Sequence, residues 1–297
     1  MPRFLHCAKV VDVTASESQG VVRGTASGFD AWLVTTPHAT AAISIFGGQV
    51  LSYRPTEADD VLWVSPLAAT PPTPIRGGIP ICWPYFGKEN QTGDVPSHGY
   101  ARTATWQVVD TDILADDVTQ LRLAPLGLER LTLRLELTVR VGATLEIGVR
   151  TTNLSDEPAI LTEALHNYLR VSDATDVHVE GLSGKSYEDK FDDLQVKTQD
   201  GDWRLPDDVP RSDRLYPDAG GTYRLVDPGF GRTIRVTGDR ARTAVVWNPG
   251  ADVASDMADV GPHWREFVCV ETANAGPDLI TVAAGATVEM WQTIALE

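Results

Sequence analysis

Three kinds of side chain in this sequence are suited to chemistry: histidines that can pass a proton, a carboxylate set among apolar residues, and arginines that can hold an anion. His98 lies in Pro96-Ser97-His98-Gly99, with Arg102 four residues on, and Arg76 opens the same stretch as Arg76-Gly77-Gly78-Ile79-Pro80. Arginine forms paired, charge-assisted hydrogen bonds to phosphate oxygens, so two arginines and a histidine on one loop suit an anionic, hydroxyl-rich ligand. The plainer reading of His98 is a loop histidine bonded to backbone. His166 lies within Ala159 to Arg170. Alternation there puts Leu161, Leu165 and Leu169 on one face and Ala164, His166 and Tyr168 on the other, a face that serves equally as a ligand floor or as an ordinary solvated surface. Glu271 ends the run Phe267-Val268-Cys269-Val270-Glu271 and shares a face with Phe267 and Cys269. Burial would raise its pKa toward a value useful to a general base, and a nearby cation would lower it; the alternative is a strand-end Glu that reaches water. Asp213, in Ser212-Asp213-Arg214-Leu215-Tyr216, says little alone.

The stretch from Arg76 to Arg102 must position several of these groups. Pro80, Pro84 and Pro96 fix φ and remove backbone donors, while its glycines reach conformations closed to other residues. Ile79, Ile81, Trp83, Tyr85 and Phe86 are bulky enough to anchor such a loop, and rigid loops are the usual carriers of binding sites. Around it the chain reads as strands at 31–36, 40–46, 49–53, 61–64, 105–114, 118–124, 131–140 and 143–152. The clearest is Thr132 to Arg140, with Leu133, Leu135, Leu137 and Val139 on one face. A single strand is expected over 159–170, a loop-rich segment over 181–221, and strands at 222–226, 233–237, 243–247, 266–270, 279–282 and 286–294. Asp252 to Val260 is the one helix expected. Residues 1–28 read as an N-terminal arm and first turn. Long periodic helices and repeats of 20–50 residues are absent. The pattern predicts one all-β domain over residues 1–297, a sandwich of large antiparallel sheets with few short helices.

Composition narrows the function. The chain has 297 residues, 42% of them hydrophobic, and a net charge of −16. With no Lys/Arg-rich run, nucleic acid and anionic membrane are poor partners. Residues 31–53 carry no formal charge, but Pro37, Gly47, Gly48 and several hydroxyl residues interrupt them, so strands are expected rather than a membrane span. Cys7, Cys82 and Cys269 have no paired spacing, which predicts neither disulfides nor a zinc site and fits a reducing cytoplasm. The first residues, Met-Pro-Arg-Phe-Leu-His, do not read as a signal peptide. P-loop, GxGxxG, GxSxG and HExxH motifs are all missing.

Six segments in order carry a resemblance: Arg76-Gly77-Gly78-Ile79-Pro80; Ser97-His98-Gly99-Tyr100-Ala101-Arg102; Ala164-Leu165-His166-Asn167-Tyr168; Gly181 to Gly184 with Tyr187 and Asp189-Lys190; Val245-Val246-Trp247-Asn248-Pro249; and Val268-Cys269-Val270-Glu271. From about residue 40 to the end the chain resembles the hexose-6-phosphate mutarotases, the glucose-6-phosphate 1-epimerases of the aldose 1-epimerase superfamily. The resemblance implies a galactose-mutarotase-like supersandwich. It also implies interconversion of the α and β anomers of an aldohexose 6-phosphate, without metal, nucleotide or other cofactor. It gives His166 as general acid, Glu271 as general base, His98 as a histidine close to the sugar, and Arg76, Arg102 and Asp213 as substrate-binding residues. Ser97 departs from the Gln common at its position, so its substrate contact is shorter. A monomer acting on a small molecule in the cytoplasm is expected. The readings that compete are an aldose 1-epimerase of free sugars, a non-catalytic carbohydrate-binding protein, and a glycoside-processing domain. The last needs two carboxylates about 5–9.5 Å apart, and Asp213 is a poor second to Glu271.

Overall fold

The computed structural model describes residues 20–297. Two eight-stranded antiparallel sheets dominate it, joined by a four-stranded sheet built from Val21–Pro55 and a two-stranded ribbon of Ala159–Leu161 with Ile280–Val282. The first large sheet runs Gln195–Thr198, Ser186–Asp189, Ser212–Tyr216, Thr243–Asn248, Phe267–Asn274, Glu163–Leu165 and Ile81–Cys82, with Tyr168–Arg170 also paired to Phe267–Asn274. The second holds the long strands, among them Leu133–Val141, Leu145–Asn153 and Thr287–Leu296. In Leu133–Val141 the odd-numbered residues are all buried and none of the even-numbered ones is, as the alternation predicts. Phe267–Asn274 is buried at every position, because one face meets the main core and the other a second apolar cluster that includes Phe86, Leu215 and Val245.

Several expectations change. Val21–Ala26 is a strand paired with Phe29–Thr35, so the arm cannot extend to residue 28; residues 1–19, with Cys7 and the leader reading, lie outside the described residues. Residues 61–64 make only isolated bridges, Leu62 to Leu169 and Val64 to Gly77, since the segment crosses between layers. The strand expected over 159–170 is three short ones, Ala159–Leu161, Glu163–Leu165 and Tyr168–Arg170. The break at His166 and Asn167 has a cause. Asn167 Nδ2 donates to Val270 O at 2.6 Å and to Gln292 Oε1 at 2.7 Å, and Gln292 Nε2 returns a bond to Asn167 Oδ1 at 2.8 Å. This amide pair ties the break to the second sheet. The segment 181–221 holds three strands that its glycines and prolines concealed, Ser186–Asp189, Gln195–Thr198 and Ser212–Tyr216. The helix is Gly250–Ser255, earlier and shorter than expected.

The Arg76–Arg102 loop is pinned to both layers. Gln49 Nε2 donates to Gly77 O at 2.6 Å, Gly78 N to Trp63 O at 2.7 Å, Phe86 N to Thr162 Oγ1 at 2.8 Å, and Trp83 Nε1 to Thr151 Oγ1 at 2.9 Å. Gly99 has φ +74°, and a Cβ there would stand 2.0 Å from the Trp83 carbonyl oxygen. Gly99→Ala is therefore expected to cost at least about 1–3 kcal/mol, read as a lowered denaturation midpoint, with the His98 loop displaced.

Candidate active site

Strand register assembles the site. Asp213 pairs with Trp247, Trp247 with Cys269, and Cys269 with Tyr168, giving one row across four strands. The next row on the same face is Leu215, Val245 and Glu271. His166 completes it across the sheet, with Nε2 3.3 Å from Glu271 Oε1. Glu271 is 1% exposed and lies mid-strand, so it is not a strand-end residue reaching water. Its Oε2 has no partner in the protein.

The loop closes over this floor. His98 has φ +63°, and its ring meets Phe86 edge-on at 4.9 Å and His166 at 5.9 Å. Gly87 N–H donates to His98 Nδ1 at 3.2 Å, so Nδ1 carries a lone pair and the ring proton sits on Nε2. Arg76 donates through Nε to Asp259 Oδ2 and through Nη1 to Tyr168 Oη, both at 2.9 Å. Arg102 donates through Nη2 to the Ser97 carbonyl at 2.8 Å, and its buried Nε has no partner. Ser97 thus enters through its backbone. Lys190 lies 4.7 Å over the Phe86 ring and 3.9 Å from Asp213 Oδ1.

Burial governs the protons. It is the largest cause holding His98 down, to about 3, with Arg102, Lys190 and Arg76 adding to it. His166 is likewise held well below the ordinary imidazole value by burial first, then by His98, Arg76 and Arg102. Glu271 is pushed well above the carboxylate range by burial, opposed by Lys190 and assisted by Asp213. Burial thus favours the uncharged form of each group, the protonated carboxyl and the neutral imidazoles.

Every residue that the sequence singled out, His98, His166, Glu271, Arg76, Arg102, Ser97 and Asp213, is thus part of this floor or of the loop over it. Sequence reasoning placed Tyr168 on the right face without a role and quoted Lys190 only as part of a motif. Asp259 and Gln292 gave no signal, because their partners lie 183 and 125 residues away.

The aldose 1-epimerase family model matches residues 30–295. The chain belongs to the aldose 1-epimerase family. It is 33% identical over 269 residues to an Escherichia coli (strain K12) protein, covering 83% of each chain. It is 33% identical over 251 residues to a Cenchrus ciliaris protein, covering 78% of this chain and 74% of that one. Both relatives bear the name "Putative glucose-6-phosphate 1-epimerase". The crystal structure of a Salmonella typhimurium protein described as "a putative mutarotase" superposes with a TM-score of 0.83 at 29% identity over 95% of both chains. The galactose-mutarotase-like supersandwich that the resemblance implied is the fold observed. Membership in the aldose 1-epimerase family carries the general activity, epimerisation of an aldose. Among the described residues no helix is long and apolar enough to cross a membrane.

Close to the site but on the opposite face of its strand from Ala164, Glu163 is 1% exposed, accepts one bond from Asn274 Nδ2 at 3.3 Å, and leaves Oε2 unpaired. Burial raises its pKa from 4.5 to about 7. A carboxyl raised on folding contributes stability below its unfolded pKa and loses it as pH rises through the folded one. Stability should therefore fall by up to about 3 kcal/mol between pH 4.5 and 7 on account of this group. Denaturant unfolding of Glu163→Gln across that range should show a slope smaller than the wild type's by this contribution.

Proposed function

We propose that this protein interconverts the α and β anomers of an aldohexose 6-phosphate, glucose 6-phosphate first among them, by acid- and base-assisted ring opening. What carries the reading is one arrangement. Two arginines from a pinned loop bring positive charge to bear on a buried His–Glu pair, and the unpaired Glu271 Oε2 and Arg102 Nε await polar partners. Guanidinium groups suit phosphate oxygens. Against a chain of net charge −16 such a grip works locally, because screening over about 8–10 Å hides distant carboxylates.

The steps follow from these groups. Glu271, as carboxylate, takes the proton of the C1 hydroxyl. His166, as imidazolium, gives its proton to the ring oxygen, and the C1–O5 bond breaks to the open aldehyde. Rotation about C1–C2 presents the other carbonyl face, and the two transfers reverse on closure. His98 is neutral with its proton on Nε2, so it acts as a hydrogen-bond donor to oxygen rather than as an acid. Asp213 and Lys190, at the end of the row away from Arg76, hold ring hydroxyls. Epimerisation of unphosphorylated sugar is the competing reading, supported by Asp259, whose carboxylate already engages Arg76.

NMR anomer exchange on glucose 6-phosphate and free glucose, side by side, tests the reading. Arg76→Ala is expected to lower kcat/KM about 10–100-fold on the phosphate, the worth of one or two charged hydrogen bonds, and not to lower it on glucose. Equal losses on both sugars would remove the phosphate role. Glu271→Gln and His166→Gln should each cost about 10²–10⁴-fold in kcat on whichever sugar is turned over; a loss in KM alone would deny them the proton transfers.

A further inference from the structure

The site presents a mismatch. Epimerisation needs the proton of the pair on His166, while the burial of both groups favours the uncharged pair over the ion pair. One contiguous set of contacts joins the pair to the cationic end of the pocket. Asp259 accepts from Arg76 Nε, and Arg76 Nη1 donates to Tyr168 Oη, each at 2.9 Å. The Tyr168 ring lies parallel over the His166 ring, centroids 4.9 Å apart and planes 9° apart. His166 Nε2 then meets Glu271 Oε1 at 3.3 Å. Tyr168 is buried and held by Trp63, Phe267 and Trp247 at 5.9, 5.1 and 6.1 Å between centroids. Tyr168 therefore touches both partners, holding the guanidinium through its hydroxyl at the ring edge and the imidazole against its face.

We propose that a dianion seated on Arg76 and Arg102 drives one proton from the Glu271 carboxyl to the His166 imidazole, and that Tyr168 is the positioning residue that makes this coupling work. The transfer is balanced within the pair. The carboxyl O–H bond breaks, the imidazole Nε2–H bond forms, and a carboxylate faces an imidazolium with the pair's net charge unchanged. The physical cause is the charge balance around each partner. His166 faces His98, Arg76, Arg102, Tyr168 and Glu271, and its two cationic neighbours oppose a charged imidazole. A dianion on those arginines cancels that opposition at short range. Glu271 faces Lys190 and Asp213, with Cys269 beside it on its own strand and Cys82 on the edge strand beyond Glu163–Leu165. Lys190 and Asp213 oppose one another at the far end of the row, and the imidazolium formed 3.3 Å away offsets the burial cost of the carboxylate. The catalytic pair is thereby armed by the phosphate of its own substrate, and a free sugar meets it unarmed. Discrimination then falls on kcat as well as on KM. The inference rests on the phosphate reading above.

The experiment is nitrogen-15 NMR of the His166 imidazole, assigned by its loss in His166→Gln, at about pH 6 with and without inorganic sulfate. Sulfate stays dianionic across the range, and its binding is followed independently by calorimetry. With sulfate bound, the charged fraction of His166 should rise at least tenfold in the wild type. In Tyr168→Phe, which keeps the ring and loses only the bond to Arg76, sulfate should still bind while the rise falls by half or more. Sulfate bound with His166 unmoved would overturn the proposal and leave the phosphate reading standing. Sulfate bound equally well by Arg76→Ala, or not bound by the wild type, would overturn both. A full rise in Tyr168→Phe would remove Tyr168 from the coupling.

Discussion

A carboxyl group in the middle of a strand buried on both faces is the constraint on which the site depends. Glu271 follows the apolar run Phe267–Val270 and has apolar neighbours across the sheet in Leu215 and Val245. Ionised and unpaired in such a place, it would cost several kcal/mol. The fold meets that cost by favouring the uncharged carboxyl and by setting a histidine 3.3 Å away. It also supplies charges of both signs at measured remove, Lys190 and Asp213 at one end of the pocket, Arg76 and Arg102 at the other. Burial makes the pair's protonation responsive, because in a water-poor site one nearby charge shifts the balance far more than it would at the surface.

The supports behind the pair follow from the same need for precision. His166 interrupts its own strand, and the interruption is stabilised from the core by the reciprocal Asn167–Gln292 amide bonds. A regular strand would have carried the imidazole at a fixed pleat height; the break lets it turn toward Glu271. The loop above is held in a similar way, by glycines whose missing Cβ lets backbone approach backbone and by a tryptophan bonded to the second sheet. Positive charge in so acidic a chain is thus kept local, on side chains with anchored guanidiniums instead of on a broad basic surface. Asp259, Tyr168 and the Ser97 carbonyl each take some of the donors of Arg76 or Arg102 and thereby aim the rest.

Much of this was legible in the residues and their order. Alternation at Leu133 to Val139 marks a half-buried strand because side chains in a strand point to opposite faces with period two, whatever the surroundings. Sparse helix signals and closely spaced turn residues set the all-β class, and six short segments in order carried the family and singled out His166 and Glu271, which the structure brings together. Where local signals conflicted with tertiary ones, reading failed. Residues 181–221 are rich in Gly and Pro, yet three of their short segments are strands, since pairing with Thr243–Asn248 and with one another outweighs weak propensity. The run 159–170 looked continuous because nothing in it announces the amide from Gln292.

The sequence by itself determined the chemical inventory: which side chains can carry a proton, hold an anion or line an apolar floor, and which periodicity each segment prefers. These are properties of residue type and near neighbours. Only the tertiary structure decided the state of those groups. That burial favours the uncharged forms of Glu271 and His166, that His98 presents an Nε2 proton, and that Tyr168 touches both Arg76 and the imidazole depend on burial and on partners far away in the chain. Desolvation and Coulomb forces act through space, and the separation of two residues in sequence does not record their distance.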